Sequence, residues 1–138
     1  MITPTPRIAS SVTLTRGFRV SVSPGYLPDH SEPEAGRFVF GYRIRIRNES
    51  RARARLVSRR WLIVDAGGER QEIQGEGVVG QQPVLESGQT FVYTSYCPLP
   101  TTSGTMQGAF VMQADSGDFF EIEIGRFYLF GPAEHSRG

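Results

Sequence analysis

The feature that most constrains the fold is an alternation of apolar and polar side chains that glycine or proline interrupts every eight to twelve residues. Between residues 38 and 47, aromatic or aliphatic side chains occupy every second position, and three of the intervening residues are arginine. Successive side chains of a β-strand point to opposite faces, so this pattern predicts a strand with one buried face. No window keeps the apolar spacing of three and four residues that an amphipathic helix needs. The sequence therefore predicts an all-β chain.

About seven short segments carry this strand pattern, and most end near turn-forming glycine, proline or aspartate. Because no significant helix separates them, we expect an antiparallel β-sandwich of immunoglobulin or fibronectin type III-like topology, with a β-barrel as the rival arrangement. Residues 29–36 are polar and acidic, which predicts an exposed loop. The expected strands lie within residues 12–22, 38–47, 61–64, 69–74, 90–96, 105–113 and 119–124, with 125–130 as a candidate continuation of the last.

A chain of 138 residues with 38% apolar side chains is long enough to bury one core and too short for two. We therefore expect residues 1–138 to form a single domain, ordered over about 8–131, with flexible ends. The alternation also predicts which side chains fill the core. The predicted core residues are Phe18, Val20, Phe40, Tyr42, Ile44, Trp61, Ile63, Phe91, Tyr93, Phe110, Met112, Phe120 and Ile122.

Residues 75–80 read G-x-G-x-x-G, the spacing that dinucleotide-binding folds use to bring the backbone close to a pyrophosphate. In those folds a helix follows the last glycine, and its N-terminus holds the phosphate charge. Here Pro83 comes three positions after Gly80 and the next pattern is again a strand, so a dinucleotide-binding fold is not expected. Two interpretations remain open: the glycines permit a tight turn or bulge, or the backbone N–H groups form a small anion-binding nest.

All 15 basic residues are arginine, and they are unevenly placed. Residues 1–60 hold 12 of them against four acidic residues, whereas residues 61–138 hold three against ten. Arg43, Arg45 and Arg47 share the polar face of one predicted strand, and Glu121 and Glu123 on another strand are expected to face and neutralise them. The isoelectric point of about 7.9 is lower than is typical of nucleic-acid-binding domains, so nucleic acid is not the favoured partner.

The residue types that enzyme chemistry requires are scarce. Ser95 or Cys97 would need a histidine base within hydrogen-bond reach to act as a nucleophile. The only histidines are His30, in a predicted loop, and His135, near the C-terminal end. One cysteine and two distant histidines do not make a zinc site, and the acid pairs do not converge as the ligands of a hard cation must. We therefore expect no enzyme activity, no catalytic residues, no cofactor and no metal site.

The chain also lacks the segments that would direct it into a membrane. No apolar run approaches the roughly 20 residues that a spanning helix requires, and the first ten residues have no signal-peptide pattern. The single cysteine excludes an internal disulfide. These observations predict a soluble protein of the reducing cytoplasm.

Several segments, in a fixed order and spacing, resemble the ApaG family, and the resemblance extends over about residues 8–131. The order of these segments is more specific than the glycine spacing alone. The resemblance implies a small bacterial protein with a fibronectin- or immunoglobulin-like sandwich. The segments that carry it are 42–48 (YRIRIRN), 60–61 (RW), 75–85 (GEGVVGQQPVL), Gly88, 91–95 (FVYTS), 104–108 (GTMQG) and 127–129 (FYL).

The same resemblance implies an association with cobalt and magnesium resistance or efflux. It also implies that the gene of this protein accompanies the gene of a diadenosine tetraphosphate hydrolase. Similar domains in eukaryotic F-box proteins and in a polymerase-delta-interacting protein serve as interaction modules. The glycine signature of the family suggests pyrophosphate binding, and Gly75, Gly77 and Gly80 are the matching positions. Because no membrane span is expected, any role in efflux would be indirect.

Two main hypotheses of function follow. In the first, the protein is a non-enzymatic module that binds a protein partner or a phosphorylated ligand, and its edge strands also offer a route to a homodimer. In the second, it is a sensor that binds a nucleotide or dinucleoside polyphosphate at residues 75–80, with Arg43 and Arg45 completing the site. An unrecognised hydrolase is the weakest of the alternatives.

Overall fold

Antiparallel strands dominate the computed structural model, which describes residues 9–132. Residues 1–8 and 133–138, where the sequence predicts flexible ends, lie outside the described part. No α-helix occurs within 9–132. Two single turns of 3-10 helix, Pro28–His30 and Pro33–Ala35, form most of the predicted loop at residues 29–36, and the first begins one residue before it. The strands are β1 Ser11–Thr15, β2 Phe18–Tyr26, β3 Phe38–Asn48, β4 Ala54–Asp65, β5 Arg70–Glu76, β6 Val84–Leu85, β7 Thr90–Leu99, β8 Ser103–Ala114 and β9 Phe119–Phe130.

These strands form two packed sheets, so the predicted antiparallel sandwich is confirmed. The first sheet has the strand order β1-β2-β3-β7, and the second has the order β5-β4-β8-β9, with the short β6 also paired to β4. Every strand pairing is antiparallel. No helix within residues 9–132 is both long and apolar enough to cross a membrane.

The strand count differs from the predicted seven for two local reasons. The predicted segment 12–22 divides into β1 and β2 because Arg16 and Gly17 both take positive φ angles, 54° and 83°, and turn the chain. The two-residue strand β6 is too short to show an alternation. Strand β4 also starts at Ala54, earlier than expected, because polar side chains such as Arg55 and Arg59 obscure the pattern there.

The core lies between the sheets and contains the predicted residues. Eleven of them are buried, whereas Phe91 and Phe120 are only partly buried at its margin. The alternation from Phe38 onward places Phe40, Tyr42 and Ile44 inside. Fully buried side chains that the predicted core omitted include Phe127, Leu129, Leu56 and Met106.

One side of the sandwich is closed by contacts between β1 and β9. The Ser11 hydroxyl donates a hydrogen bond to the Gly125 carbonyl at 2.8 Å, and the Thr13 hydroxyl donates to the Glu123 carbonyl at 2.6 Å. The Thr15 hydroxyl accepts a bond from the Glu123 N–H at 3.2 Å. Hydroxyl side chains at every second position of the edge strand β1 therefore form hydrogen bonds with backbone groups of the edge strand β9.

Gly108 should be essential for the contact between β4 and β8. A Cβ at this position would collide with the carbonyl oxygen of Arg60, next to an irregularity in the β8–β9 register. We expect Gly108→Ala to lower the free energy of unfolding by about 1–3 kcal/mol, the usual cost of overpacking. Gly25→Ala is the matched control, because a Cβ there meets nothing within 4 Å. Urea unfolding measures both, and equal stabilities of the two variants would contradict the prediction.

Candidate functional site

On the side opposite β1 and β9, a cleft opens between the two sheets. Its rims are the edge strands β7 and β5, and its volume is about 190 Å³. The wall is mainly apolar, but polar groups of both sheets reach it. The lining includes Trp61, Ile73 and Met106 together with Tyr42, Arg59 and Ser95.

The two rims differ in charge. Strand β5 carries Arg70, Glu72 and Glu76, the kind of charged side chains that protect an edge strand against unwanted pairing. Strand β7 has ten residues and none of them is charged. Two of its large side chains, Val92 and Tyr96, are 39% and 60% exposed. In the described part of the chain, β7 is therefore a long uncharged strand with one unpaired edge.

Arg59 links the cleft to the glycine-rich segment. It lies on β4 directly opposite Gly75 of β5, and its guanidinium packs against the Gly75 backbone. A Cβ on Gly75 would lie 2.8 Å from Arg59 Nη2. Arg59 Nη1 donates to the carbonyl oxygens of Glu76 at 3.1 Å and Gly77 at 2.8 Å. The segment thus offers carbonyl acceptors to a cationic side chain.

Most of the N–H groups in this segment bond within the protein. The N–H of Gly77 donates to the Val57 carbonyl at 2.7 Å, and Val78 and Gln81 exchange two hydrogen bonds of 2.8 Å across a two-residue turn. The central residues of that turn, Val79 and Gly80, have φ angles of 42° and 80°. Such angles fit the turn interpretation of the glycines, and no helix follows Gly80 in the part of the chain that the structure describes.

The three glycines have different physical roles. Gly77 has φ of 63°, and a Cβ there would collide with the Gln81 carbonyl oxygen, so a valine would be strained and blocked. Gly80 has φ of 80° with open space around it. Gly75 is needed because Arg59 lies against it. Val79 is a β-branched residue at positive φ, which is a strained conformation.

Arg43 and Arg45 do not lie at the glycine segment. Both are on β3, a central strand of the first sheet, and point to its outer face, whereas residues 75–80 follow the edge of the second sheet. Arg43 is half-buried, and in the strand register it lies directly opposite Ser23 of β2 and Thr94 of β7. Arg59, which the sequence did not distinguish from the other arginines, contacts the glycines instead.

The predicted neutralisation of the β3 arginines by Glu121 is wrong. Glu121 makes two hydrogen bonds with Arg60, of 3.2 and 2.9 Å, because β9 belongs to the second sheet with β4. No carboxylate of residues 9–132 lies within 4 Å of the Arg43 or Arg45 guanidinium, whereas Arg47 lies 3.9 Å from Glu49. The outer face of the first sheet is therefore positively charged.

Three hydroxyl groups belong to the cleft or lie beside it. Burial raises the pKa of Tyr42, and its interaction with the Ser95 hydroxyl acts in the opposite direction. Tyr93 lies two residues before Ser95 on the same face of β7 and is 7% exposed. Burial raises the pKa of Tyr93 strongly, and nearby Tyr42 and Arg59 act on it with opposite signs. The Tyr93 hydroxyl is the one buried side-chain N or O atom of residues 9–132 that lacks a hydrogen-bond partner.

Cys97 lines the cleft, but its surroundings do not activate it. Burial raises the pKa of the thiol to about 11, whereas a nucleophilic cysteine needs a lowered pKa. His30 stacks on the ring of Tyr96, with centroids 6.0 Å apart, and Tyr96 points away from Cys97 in the alternation of β7. His135 lies outside the described residues. Within residues 9–132, no three His, Cys, Asp or Glu side chains come together as metal ligands.

A known protein family matches the part of the chain that contains the cleft and the glycine segment. The ApaG domain profile matches residues 28–114, which include the glycine segment and every residue that lines the cleft. A Brucella anthropi protein named Protein ApaG is 53% identical over 116 residues, covering 84% of this chain and 89% of its own. A protein of the same name from Anaeromyxobacter sp. strain K is 49% identical over 122 residues, covering 88% and 96%.

A solved structure shows the same fold. The crystal structure of the ApaA protein from Bordetella pertussis superposes on this chain with a TM-score of 0.80 at 42% sequence identity. The superposition covers 91% of this chain and 98% of that one.

The buried thiol should make stability depend on pH. Folding raises the pKa of Cys97 to about 11, whereas an unfolded cysteine titrates near 8.5. The folded state keeps a proton that the unfolded state loses, so the free energy of unfolding should fall as pH rises above about 8.5, by at most about 1.4 kcal/mol per pH unit. Urea unfolding from about pH 8 to about pH 9, below the pKa of about 10 at which unfolded tyrosines titrate, measures this slope. Cys97→Ala should flatten it, and an unchanged slope in that variant would refute the assignment.

Proposed function

We propose, starting from the fact that this chain belongs to the ApaG domain family, that the protein is a non-catalytic module that binds an extended segment of a partner protein. The segment adds a strand to the unpaired edge of β7. The observation that carries this proposal is the ten-residue, uncharged edge strand beside an apolar cleft. Long uncharged edges pair readily with other strands unless something protects them.

Every second residue of β7 points its backbone N–H and C=O groups to the unpaired edge of the strand. Asn48 donates its N–H to the Gln89 carbonyl at 2.9 Å, which fixes the alternation of bonds between β3 and β7. Phe91, Tyr93 and Ser95 then bond to β3. The N–H and C=O groups of the residues between them point outward, away from β3. Pro98, which has no N–H to offer, falls in the same outward set as Thr94 and Tyr96.

The contrast with the opposite side of the sandwich supports this choice of edge. There, the hydroxyls of Ser11, Thr13 and Thr15 bond to the backbone of β9. On the open side, a strand added to β7 would extend the first sheet over the cleft. Every second side chain of that strand would point toward Trp61 and Ile73.

Thr94→Pro tests the edge directly. It removes one outward N–H and places a ring on the edge, while the bonds of β7 to β3 stay intact. Peptides of about a dozen residues, selected from a random phage library on the immobilised protein, serve as probes, and fluorescence anisotropy measures their affinity. Because at least one backbone hydrogen bond and the close approach of the peptide are lost, we expect Thr94→Pro to weaken binding about tenfold or more.

Thr94→Val is the matched control, because it keeps the N–H and should bind as the wild type does. Amide shifts on titration should cluster at residues 90–96. The proposal fails if no peptide is enriched, if the shifts lie elsewhere, or if Thr94→Pro binds normally. A homodimer that Thr94→Pro dissociates, without any peptide binding, would point to a second copy as the occupant and would also overturn it.

A second candidate is a sensor of a nucleotide or dinucleoside polyphosphate at Gly75, Gly77 and Gly80. The guanidinium of Arg59 beside these glycines favours it, since arginine pairs well with phosphate oxygens. Arg43 and Arg45 would take part only if the ligand reached the outer face of the first sheet. Titration with diadenosine tetraphosphate should shift the amides of residues 75–80, and Arg59→Gln should abolish the shifts. If these amides do not shift at millimolar concentrations of the ligand, this candidate is eliminated.

We propose that any effect on cobalt and magnesium tolerance is indirect and passes through the bound partner in the cytoplasm. Restoring the gene to a deletion strain tests this role. The wild type and Thr94→Val should restore cobalt tolerance and Thr94→Pro should not. Rescue by Thr94→Pro would separate metal tolerance from the edge of β7.

A further inference from the structure

Arg59 is the charged group of the cleft, and it has donors to spare. No carboxylate of residues 9–132 lies within 4 Å of its guanidinium. The hydrogen bonds of the described residues use only Nη1, which the Glu76 and Gly77 carbonyls hold in place. Nε and Nη2 keep their donors. A half-buried guanidinium that is already oriented binds a carboxylate more strongly than a mobile surface arginine does.

The unpartnered hydroxyl of Tyr93 is buried behind the wall of the cleft, and Tyr93 is not among the residues that line it. Buried polar groups are nearly always hydrogen-bonded, so a buried hydroxyl without a partner in residues 9–132 needs an explanation. It lies on the same face of β7 as Ser95, which lines the cleft. Ser95 is therefore the residue of β7 whose hydroxyl the cleft offers to a bound polar group.

The size of the cleft limits what it encloses. Its volume of about 190 Å³ is smaller than the roughly 300–1,000 Å³ of pockets that hold whole small molecules. A single side chain of a bound peptide matches it better than a nucleotide does.

A second copy of this chain is a poor occupant of the same edge. Residues 90–99 contain no carboxylate, so pairing β7 with another β7 would bring no acidic group to Arg59. The charge of the cleft favours a different partner, one whose bound strand carries an acidic residue.

We infer that the partner segment is acidic: a large apolar side chain enters the cleft against Trp61, and an Asp or Glu two positions away, on the same face of the bound strand, pairs with Arg59. This inference rests on the proposed function and adds to it the chemistry that selects the partner. The glycine motif then acts indirectly, because Gly75 admits the Arg59 guanidinium and the carbonyls of Glu76 and Gly77 orient it.

The test compares each peptide enriched in the selection above with a version whose Asp and Glu are replaced by Asn and Gln. At low salt, the wild-type protein should bind the acidic version about tenfold more tightly, and the difference should shrink as salt is raised. Arg59→Gln should bind both versions equally. Trp61 is the only tryptophan and lines the cleft, so its fluorescence reports occupancy directly.

Two further variants keep the result interpretable. Gly75→Ala should also lose the preference for acidic peptides, because the new methyl group displaces only the flexible end of Arg59 and leaves the fold in place. Arg43→Gln is the matched control, since this arginine also lacks a carboxylate partner in residues 9–132 but lies on the outer face. It should keep the full preference.

The outcomes separate this inference from the proposal on which it rests. If peptides bind at β7 and Thr94→Pro weakens them, but acidic and amide versions bind equally well, the acidic preference is refuted while the edge-binding function stands. A preference that survives Arg59→Gln, or that Arg43→Gln removes, also refutes it. If no peptide binds at all, the proposed function itself fails.

Discussion

The contact between Tyr42, Trp61 and Phe127 holds the two sheets together where the cleft begins. Tyr42 comes from the first sheet and the other two from the second, and the ring centroids lie 5.4 to 5.9 Å apart. Tilted and edge-on aromatic pairs of this kind add about 0.5–1.5 kcal/mol each beyond the burial of their area. The cleft has a floor because these rings fill the space between the sheets, and it stays open because β5 and β7 do not pair.

The sandwich is therefore asymmetric, and the asymmetry has a chemical cause. On one side, short hydroxyl side chains of β1 satisfy backbone groups of β9 and close the gap. On the other side, the facing residues are mainly aromatic or aliphatic, and the polar ones, Gln71 and Ser95, make no hydrogen bond to the opposite edge within residues 9–132. An uncharged strand edge, an apolar cleft and a cation without an internal carboxylate partner in residues 9–132 lie together there. This combination suits an extended acidic ligand.

The glycine segment shows why a motif needs its structural context. Its spacing matches that of a phosphate-binding loop, and the absence of a following helix was readable from Pro83 and the next strand pattern. The contact with Arg59 was not readable. Arg59 is one of eight arginines within residues 43–60, and only the antiparallel register of β4 and β5 places it opposite Gly75. The same limitation produced the wrong pairing of Glu121, because alternation tells which face a residue occupies but not which sheet.

The sequence by itself determined the fold class, most strand positions and part of the core, since an alternation of period two follows from the geometry of a single strand. It also showed that β7 has no charge. The tertiary structure alone decided which strands became edges, which side of the sandwich remained open, and which arginine reached the glycines. Those properties depend on pairing between segments distant in the chain, and pairing is selected by the packing of the whole core and not by any local pattern.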